Sequence, residues 1–314
     1  MSRIISISRR TDIPAFHGDW FMERLAQGFA GWENPFAGQR QLVSLHRDDV
    51  ACLAFWSKNF SPFLPHLRRL KAEGWPCFFN FTITGQPQVF EPRVSPAAET
   101  IEVFKEISAL FSPAHLVWRY DPVLVSEWTP PEYHLARFAE LADALAGSTT
   151  RCVISFPTRY GKVERNFARF ERENGCRIFD PALEERRQLA AALAEIAAQR
   201  NMILQSCCED SLVSDRITQA HCMDGETISR LHGCACRAPA RPNRPQCGCA
   251  ENVDIGRYNT CPHGCVYCYA NTDHRRATLG YASHDPRAAF FGRTLEESNR
   301  FLAELRATEA IQLL

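Results

Sequence analysis

Near the end of the chain, the stretch NTCPHGCVYCYAN (259–271) sets Cys261, Cys265 and Cys268 in one short loop. The spacing C-x3-C-x2-C lets three thiolates reach one metal centre, with no fourth cysteine beside them. Structural zinc is closed by four ligands, often supplied as paired knuckles. Iron–sulfur clusters are also held, as a rule, by four cysteines. A four-iron cluster held by three keeps one iron open, and an open metal position is where chemistry takes place. The trio therefore predicts a catalytic 4Fe–4S cluster rather than a scaffold metal.

The chain has 14 cysteines, and they are unevenly spread. Cys52, Cys77, Cys152 and Cys176 are scattered, the first three in or beside apolar runs, and read as small buried hydrophobes. The other ten fall between Cys207 and Cys268. With charges where a signal peptide needs its apolar core, the N-terminus MSRIISISRRTDIPAF points to a cytoplasmic protein. There thiols stay reduced, so the cluster of cysteines means metal or redox chemistry rather than disulfides.

Positioning such a loop requires a frame, and the first two-thirds of the chain supplies one. β-Branched and aromatic runs recur at 3–8, 51–57, 76–84, 114–120, 151–156 and 201–207, with helical spacing at 19–29, 62–73, 97–111, 131–146 and 182–200 between them. Pro131 and Pro181 sit at expected helix starts. Alternating strands and helices imply parallel βαβ units. Six units, with no glycine-rich phosphate loop after the first strand, favour an α/β fold of the (β/α) barrel kind, TIM-like and partial or closed, over a doubly wound sheet.

Polar residues gather where each strand should end, and in a parallel barrel those ends share one rim. They include Arg9, Arg10 and Asp12 after the first run, then Asn80 and Thr82, then Arg119 and Asp121, then Ser155. Guanidinium groups suit carboxylate or phosphate. Lys58–Asn59 taken alone reads as a solvated loop. The expected layout is barrel units over 1–206, a cysteine-rich region completing the barrel over 207–275, and a helical tail over 276–314. A short strand at ENVDIG feeds the cysteine loop.

Lys+Arg and Asp+Glu both total 36, so no global charge recruits nucleic acid or anionic membrane. No apolar run approaches the ~20 residues that cross a bilayer.

With Tyr267 just before its last cysteine, the loop resembles the signature of radical S-adenosylmethionine (SAM) enzymes, and YAN after it is similar to their spore-photoproduct-lyase-like branch. The resemblance implies a 4Fe–4S cluster on Cys261, Cys265 and Cys268. Its open iron would chelate the amino and carboxylate groups of SAM, which is cleaved reductively to a 5′-deoxyadenosyl radical. Those enzymes carry the trio after the first barrel strand, whereas here it follows the last. VDIGRYNT (253–260) thus reads as that first strand and loop moved to the end, a permutation that closed folds tolerate.

The stretches SRRTDIPAFHGDWF, FWSKN, WRYDP, CVISF and CGCAENVDIGRYNTCPHGCVYCYAN together resemble the family catalogued as domain of unknown function 1848, over about residues 3–275. That name implies no reaction. A family-like pattern makes Cys207, Cys222, Cys247 and Cys249 the ligands of a second, fully ligated centre, iron–sulfur or zinc. C-x-C at 247–249 is tight for a zinc knuckle, which favours the cluster. Cys234 and Cys236 read as extras in a variable loop, and His221, His232 and His263 as ordinary loop histidines.

The resulting expectation is a radical-SAM-like iron–sulfur enzyme. Arg9, Arg10, Asp12, Arg119 and Asp121 are its candidate catalytic residues, and Asn80, Thr82, Ser155 and Tyr267 its cofactor-binding candidates. It would take a small-molecule substrate, SAM, and an electron donor of flavodoxin or ferredoxin type. The competing expectation is a non-catalytic zinc or iron–sulfur module. Cys249 or a histidine would then close the trio, and the arginine-rich stretch 237–257 would bind a partner or nucleic acid.

Overall fold

The apolar runs become strands because their side chains alternate between two buried surfaces. In the computed structural model, which describes residues 2–233 and 246–312, the strands are β1 (Arg3–Ile7), β2 (Phe29–Glu33), β3 (Arg40–Ser44), β4 (Val50–Ser57), β5 (Cys77–Thr82), β6 (Leu116–Tyr120), β7 (Arg151–Ile154), β8 (Ile203–Ser206), β9 (Ile217–Gln219) and β10 (Asn252–Asp254). Eight of them form one sheet in the order β10-β1-β4-β5-β6-β7-β8-β9, and every neighbouring pair is parallel. β2 and β3 form a separate antiparallel hairpin.

The helices are α1 (Ile13–Phe16), α2 (Gly18–Gln27), α3 (Leu64–Ala72), α4 (Ala97–Leu110), α5 (Pro131–Leu145), α6 (Gly161–Asn174), α7 (Leu183–Ala198), α8 (Gly225–His232), α9 (His274–Ala282) and α10 (Leu295–Gln312). One sheet face carries Ile5, Phe55, Phe79, Trp118 and Ile154, packed against Phe21 of α2, Leu67 of α3, Phe104 of α4, Phe138 of α5 and Leu193 of α7. The intervening residues Ile4, Ala54, Phe78, Val117 and Val153 face the other way. They pack with Cys207, Cys222, Cys249 and Ile228 of α8. Because side chains alternate with period two, Ser6, Trp56, Asn80 and Arg119 belong to this second face.

The last strand lies beside the first, with Ile4 opposite Asn252 and Ser6 opposite Asp254. Cys52, Cys77, Cys152 and Cys176 are buried, as small core residues should be. Among the described residues no helix is long and apolar enough to cross a membrane. Cys234 and Cys236, and part of the stretch 237–257, lie outside the described residues.

Candidate metal centre

β10 runs out into the cysteine loop, which doubles back on itself. Asn259 closes its neck in a left-handed backbone conformation (φ 59°). Its Oδ1 accepts from the Thr272 N–H at 2.6 Å, and its own N–H donates to the Ala270 carbonyl at 3.1 Å. Cys261 and Cys265 are buried inside, and Cys268 is half-buried. Burial pushes all three thiols above their ordinary range, and at Cys261 the carboxylate of Asp12 and the two other thiols add to it. A cationic centre reverses that balance and holds thiolates instead.

Asp12 ties the loop to the strand ends. Its Oδ1 caps α1 through the Ala15 N–H (3.0 Å) and accepts from Ser57 Oγ (2.7 Å). Its Oδ2 accepts from the Lys58 N–H (2.8 Å) and meets His263 Nε2 at 2.8 Å. His263 Nδ1 lies 3.1 Å from the Arg93 carbonyl, so both ring nitrogens face protein partners rather than the thiols. His221 and His232 each meet a backbone carbonyl, of Gly248 (2.6 Å) and Cys77 (3.1 Å).

Beside Cys265 sits a group built from three loops. Lys58 Nζ donates to Glu91 Oε1 at 2.9 Å, Thr84 Oγ1 donates to the same oxygen at 2.9 Å, and so does the Tyr267 hydroxyl. Burial works against the Lys58 ammonium, but Glu91 and Cys265 outweigh it and its pKa is raised. Burial likewise opposes the Glu91 carboxylate, yet Lys58, Tyr267 and Thr84 hold it below the usual range. Lys58 is thus no solvated loop residue. Thr82, Thr84, Lys58 and Glu91 line one cleft here.

Arg119 connects this region to the second set of cysteines. One guanidinium nitrogen donates to Cys222 Sγ at 2.9 Å and another pairs with Asp121. Ser155 Oγ donates to the other Asp121 oxygen. The guanidinium also lies over the Trp56 ring, 5.0 Å from its centroid. Burial opposes the Arg119 charge, but Cys222 and Asp121 raise its pKa well above the ordinary value.

Cys222 Sγ stands 3.6 Å from Cys207 Sγ, and its thiol also hydrogen-bonds to Cys249, which in turn contacts Cys247. The fold thus brings Cys207, Cys222, Cys247 and Cys249 together from the ends of β8 and β9 and the approach to β10. Met223 N–H donates to Cys249 Sγ at 3.4 Å. Asn80 Nδ2 donates to the Cys222 carbonyl at 3.2 Å, while its buried Oδ1 has no partner. No thiol–thiol hydrogen bond joins the members of the trio, so the two sets are spaced differently.

Among the described residues no three Cys, His, Asp or Glu side chains stand as a ready ligand set for one metal ion. What fits is the donor chemistry: two sulfur-only groups, of the kind that zinc and iron–sulfur clusters take.

Arg9 is tied to β10, with Nη2 on Asn252 Oδ1 at 2.9 Å and Nε 3.5 Å from Asp254. Arg10 points elsewhere, lying over Tyr258 at 5.5 Å.

The family model described as domain of unknown function (DUF1848) matches residues 4–270. The chain belongs to the DUF1848 family. No curated protein matches it. The DUF1848 region runs from β1 through the cysteine trio and takes in both thiol sets and every strand of the main sheet. Within it, Glu91 is the site residue that sequence reasoning missed. It lies in the loop PQVFEPRVSP, which has no periodicity and no metal-ligand spacing. The signal available was an acidic residue beyond a strand end, as for Asp121.

Proposed function

We propose that this DUF1848 protein is an iron–sulfur enzyme of radical SAM type, with an open-iron 4Fe–4S cluster held by Cys261, Cys265 and Cys268. The observation that carries the reading is the trio's setting. Three thiols, two buried and one half-buried, share one closed loop at the C-terminal end of a parallel strand, beside the Lys58–Glu91–Tyr267 group. Cys249 does not serve as a fourth member, because its thiol contacts are Cys222 and Cys247. When bound, the cluster would supply one-electron reductive cleavage of the SAM sulfonium.

The chain's own residues would hold and shield the reactants. Glu91 anchors the loop through Tyr267, and Lys58 keeps that carboxylate ionised. Arg119 and Ser155 hold Asp121 facing the same region, where with Asn80 and Thr82 it would orient a small-molecule substrate. The electron would come from a donor of flavodoxin or ferredoxin type, in the cytoplasm. We infer further that the sheet curls into a (β/α) barrel, partial or closed. Ala250 N–H donates to the Met223 carbonyl at 2.9 Å, joining the segments that flank the edge strands β9 and β10.

For the second group one observation favours zinc over a cluster. Sulfurs about 3.8 Å apart are what a tetrahedral Zn–S bond of about 2.3 Å implies, and Cys207 and Cys222 are 3.6 Å apart.

The test is anaerobic reconstitution with iron and sulfide, followed by reduction and addition of SAM. A SAM-dependent change in the EPR spectrum, lost in C261A, C265A and C268A but kept in C207A, is the expected result. Protein that yields only zinc, or cannot cleave SAM when reduced, removes the reading in favour of a non-catalytic metal module.

A further inference from the structure

A second cleft opens on the flank of the strand that feeds the cysteine loop. Its walls include Arg10, Glu33, Gly256, Arg257, Tyr258 and Phe291, around a cavity of about 200 Å³, smaller than a drug-sized pocket and suited to one compact group such as a phosphate. Nothing in the metal chemistry uses it.

Its charge is one-sided. Arg10 and Arg257 form no ion pair among the described residues. Arg10 reaches only the Gly256 carbonyl, at 3.5 Å, and Arg257 donates one nitrogen to the Gly292 carbonyl at 2.6 Å. Their remaining guanidinium donors are unused. Lys162 stands 5.1 Å from the centroid of the same Tyr258 ring that Arg10 covers, which adds a third cation nearby. Glu33, the acid in the wall, is already neutralised: both its oxygens lie 2.7 Å from Arg293 Nη2, and Arg40 Nε is 3.6 Å away. The backbone adds donors as well. Gly256 N–H is taken by Asp254 Oδ1 at 3.0 Å, but the next two N–H groups, of Arg257 and Tyr258, donate to nothing among the described residues.

We propose that this cleft binds the phosphate group of a small phosphorylated molecule, with Arg10, Arg257 and the two free N–H groups as its donors. The donor count separates phosphate from carboxylate. Two planar forks and two backbone N–H groups exceed what one carboxylate can accept, while a phosphate monoester offers three oxygens and close to two negative charges. The proposal stands apart from the metal reading, since none of these groups touches a thiol of either set. Thr260 Oγ1 donates to the Arg257 carbonyl at 2.6 Å, one residue before Cys261, so an occupant would press on the base of the cysteine loop.

Titration calorimetry on the full chain tests this, with inorganic phosphate, a nucleoside monophosphate, the matching nucleoside and acetate as probes. Binding of a phosphate-bearing probe, weakened about tenfold or more in both R10Q and R257Q, is expected. Stronger binding of the monophosphate than of inorganic phosphate assigns the site to a phosphate ester, and the reverse assigns it to the free ion. R10Q breaks no short hydrogen bond, so its unfolding midpoint should match the parent and separate lost binding from lost folding. No binding of either phosphate probe, equal binding of acetate, or affinity unchanged in R10Q overturns the proposal.

Discussion

Arg119 places one guanidinium N–H 2.9 Å from the sulfur of Cys222 while the same guanidinium pairs with Asp121. One buried cation thereby links the two halves of the site, the four-thiol group on one side and the polar cluster near Cys265 on the other. Removing one partner of a buried pair leaves the other charge uncompensated, at a cost of about 3–5 kcal/mol. R119M should therefore lose several kcal/mol in urea unfolding, and R119M/D121N should recover part of it. Strict additivity of R119M and D121N would mean that the two residues are not coupled.

Asp12 is the next point of failure. Four donors or ring nitrogens converge on its carboxylate, from Ala15, Ser57, Lys58 and His263. D12A strips the cap of α1 and releases His263, so about 3 kcal/mol of stability should go. D12N keeps the shape and should lose less. Equal losses for the two variants would show that the charge itself carries the effect.

Helix α9 rests against the neck of the cysteine loop through a glycine. A Cβ at Gly280 would lie 2.0 Å from the Asn259 backbone oxygen. G280A should push the helix away and cost about 1–3 kcal/mol. L279A, at an exposed neighbouring position, serves as the control. Unfolding curves of G280A and L279A that coincide would remove the claim.

A pH dependence follows from His134. It is fully buried, with Nδ1 2.8 Å from the Tyr120 hydroxyl and Nε2 3.0 Å from the Leu124 carbonyl. The carbonyl can only accept, so Nε2 carries the hydrogen and Nδ1 accepts from Tyr120. Burial lowers its pKa from 6.5 to about 4. The unfolded chain therefore binds this proton at a pH where the folded one does not. The stability involved is fully present above pH 6.5 and drains away as pH falls towards about 4, roughly 3 kcal/mol in all. H134Q should show a shallower loss of stability over that window, and an unchanged slope would refute the assignment. His115 and His284, also lowered to about 4, would keep their own shares.

Much of the frame was legible because its strands are apolar on both faces and separated by helices of ordinary length. The run 76–84 became β5 and 97–111 became α4 almost without adjustment. The hairpin β2–β3 was not legible. FAGWE and RQLVS have mixed polarity, and the hairpin is held by the distant C-terminal segment: Gly31 N–H donates to the Ala289 carbonyl at 2.8 Å. Helix α6 was missed for a different reason. GKVERNFARFEREN is so charged that its apolar stripe of Val163, Phe167 and Phe170 is easily overlooked, yet that stripe packs against Phe90 and Val266 over the cysteine loop. At the site, cysteine spacing singled out the trio and a family-like pattern singled out the other four thiols, but Glu91 and the burial of Lys58 depend on contacts between loops far apart in sequence.

The pairing of β10 with β1 has a consequence for how the molecule is made. Ser6 and Asp254, hydrogen-bonded at 3.1 Å, are 248 positions apart. On the ribosome β1 emerges first, and its outer edge must wait for nearly the whole chain before its partner arrives. Contacts this distant form late and leave an unpaired edge open to mispairing meanwhile. The segment that ends the wait is also the one that brings the three cysteines. A nascent chain therefore cannot assemble the trio before the strands that precede it have emerged.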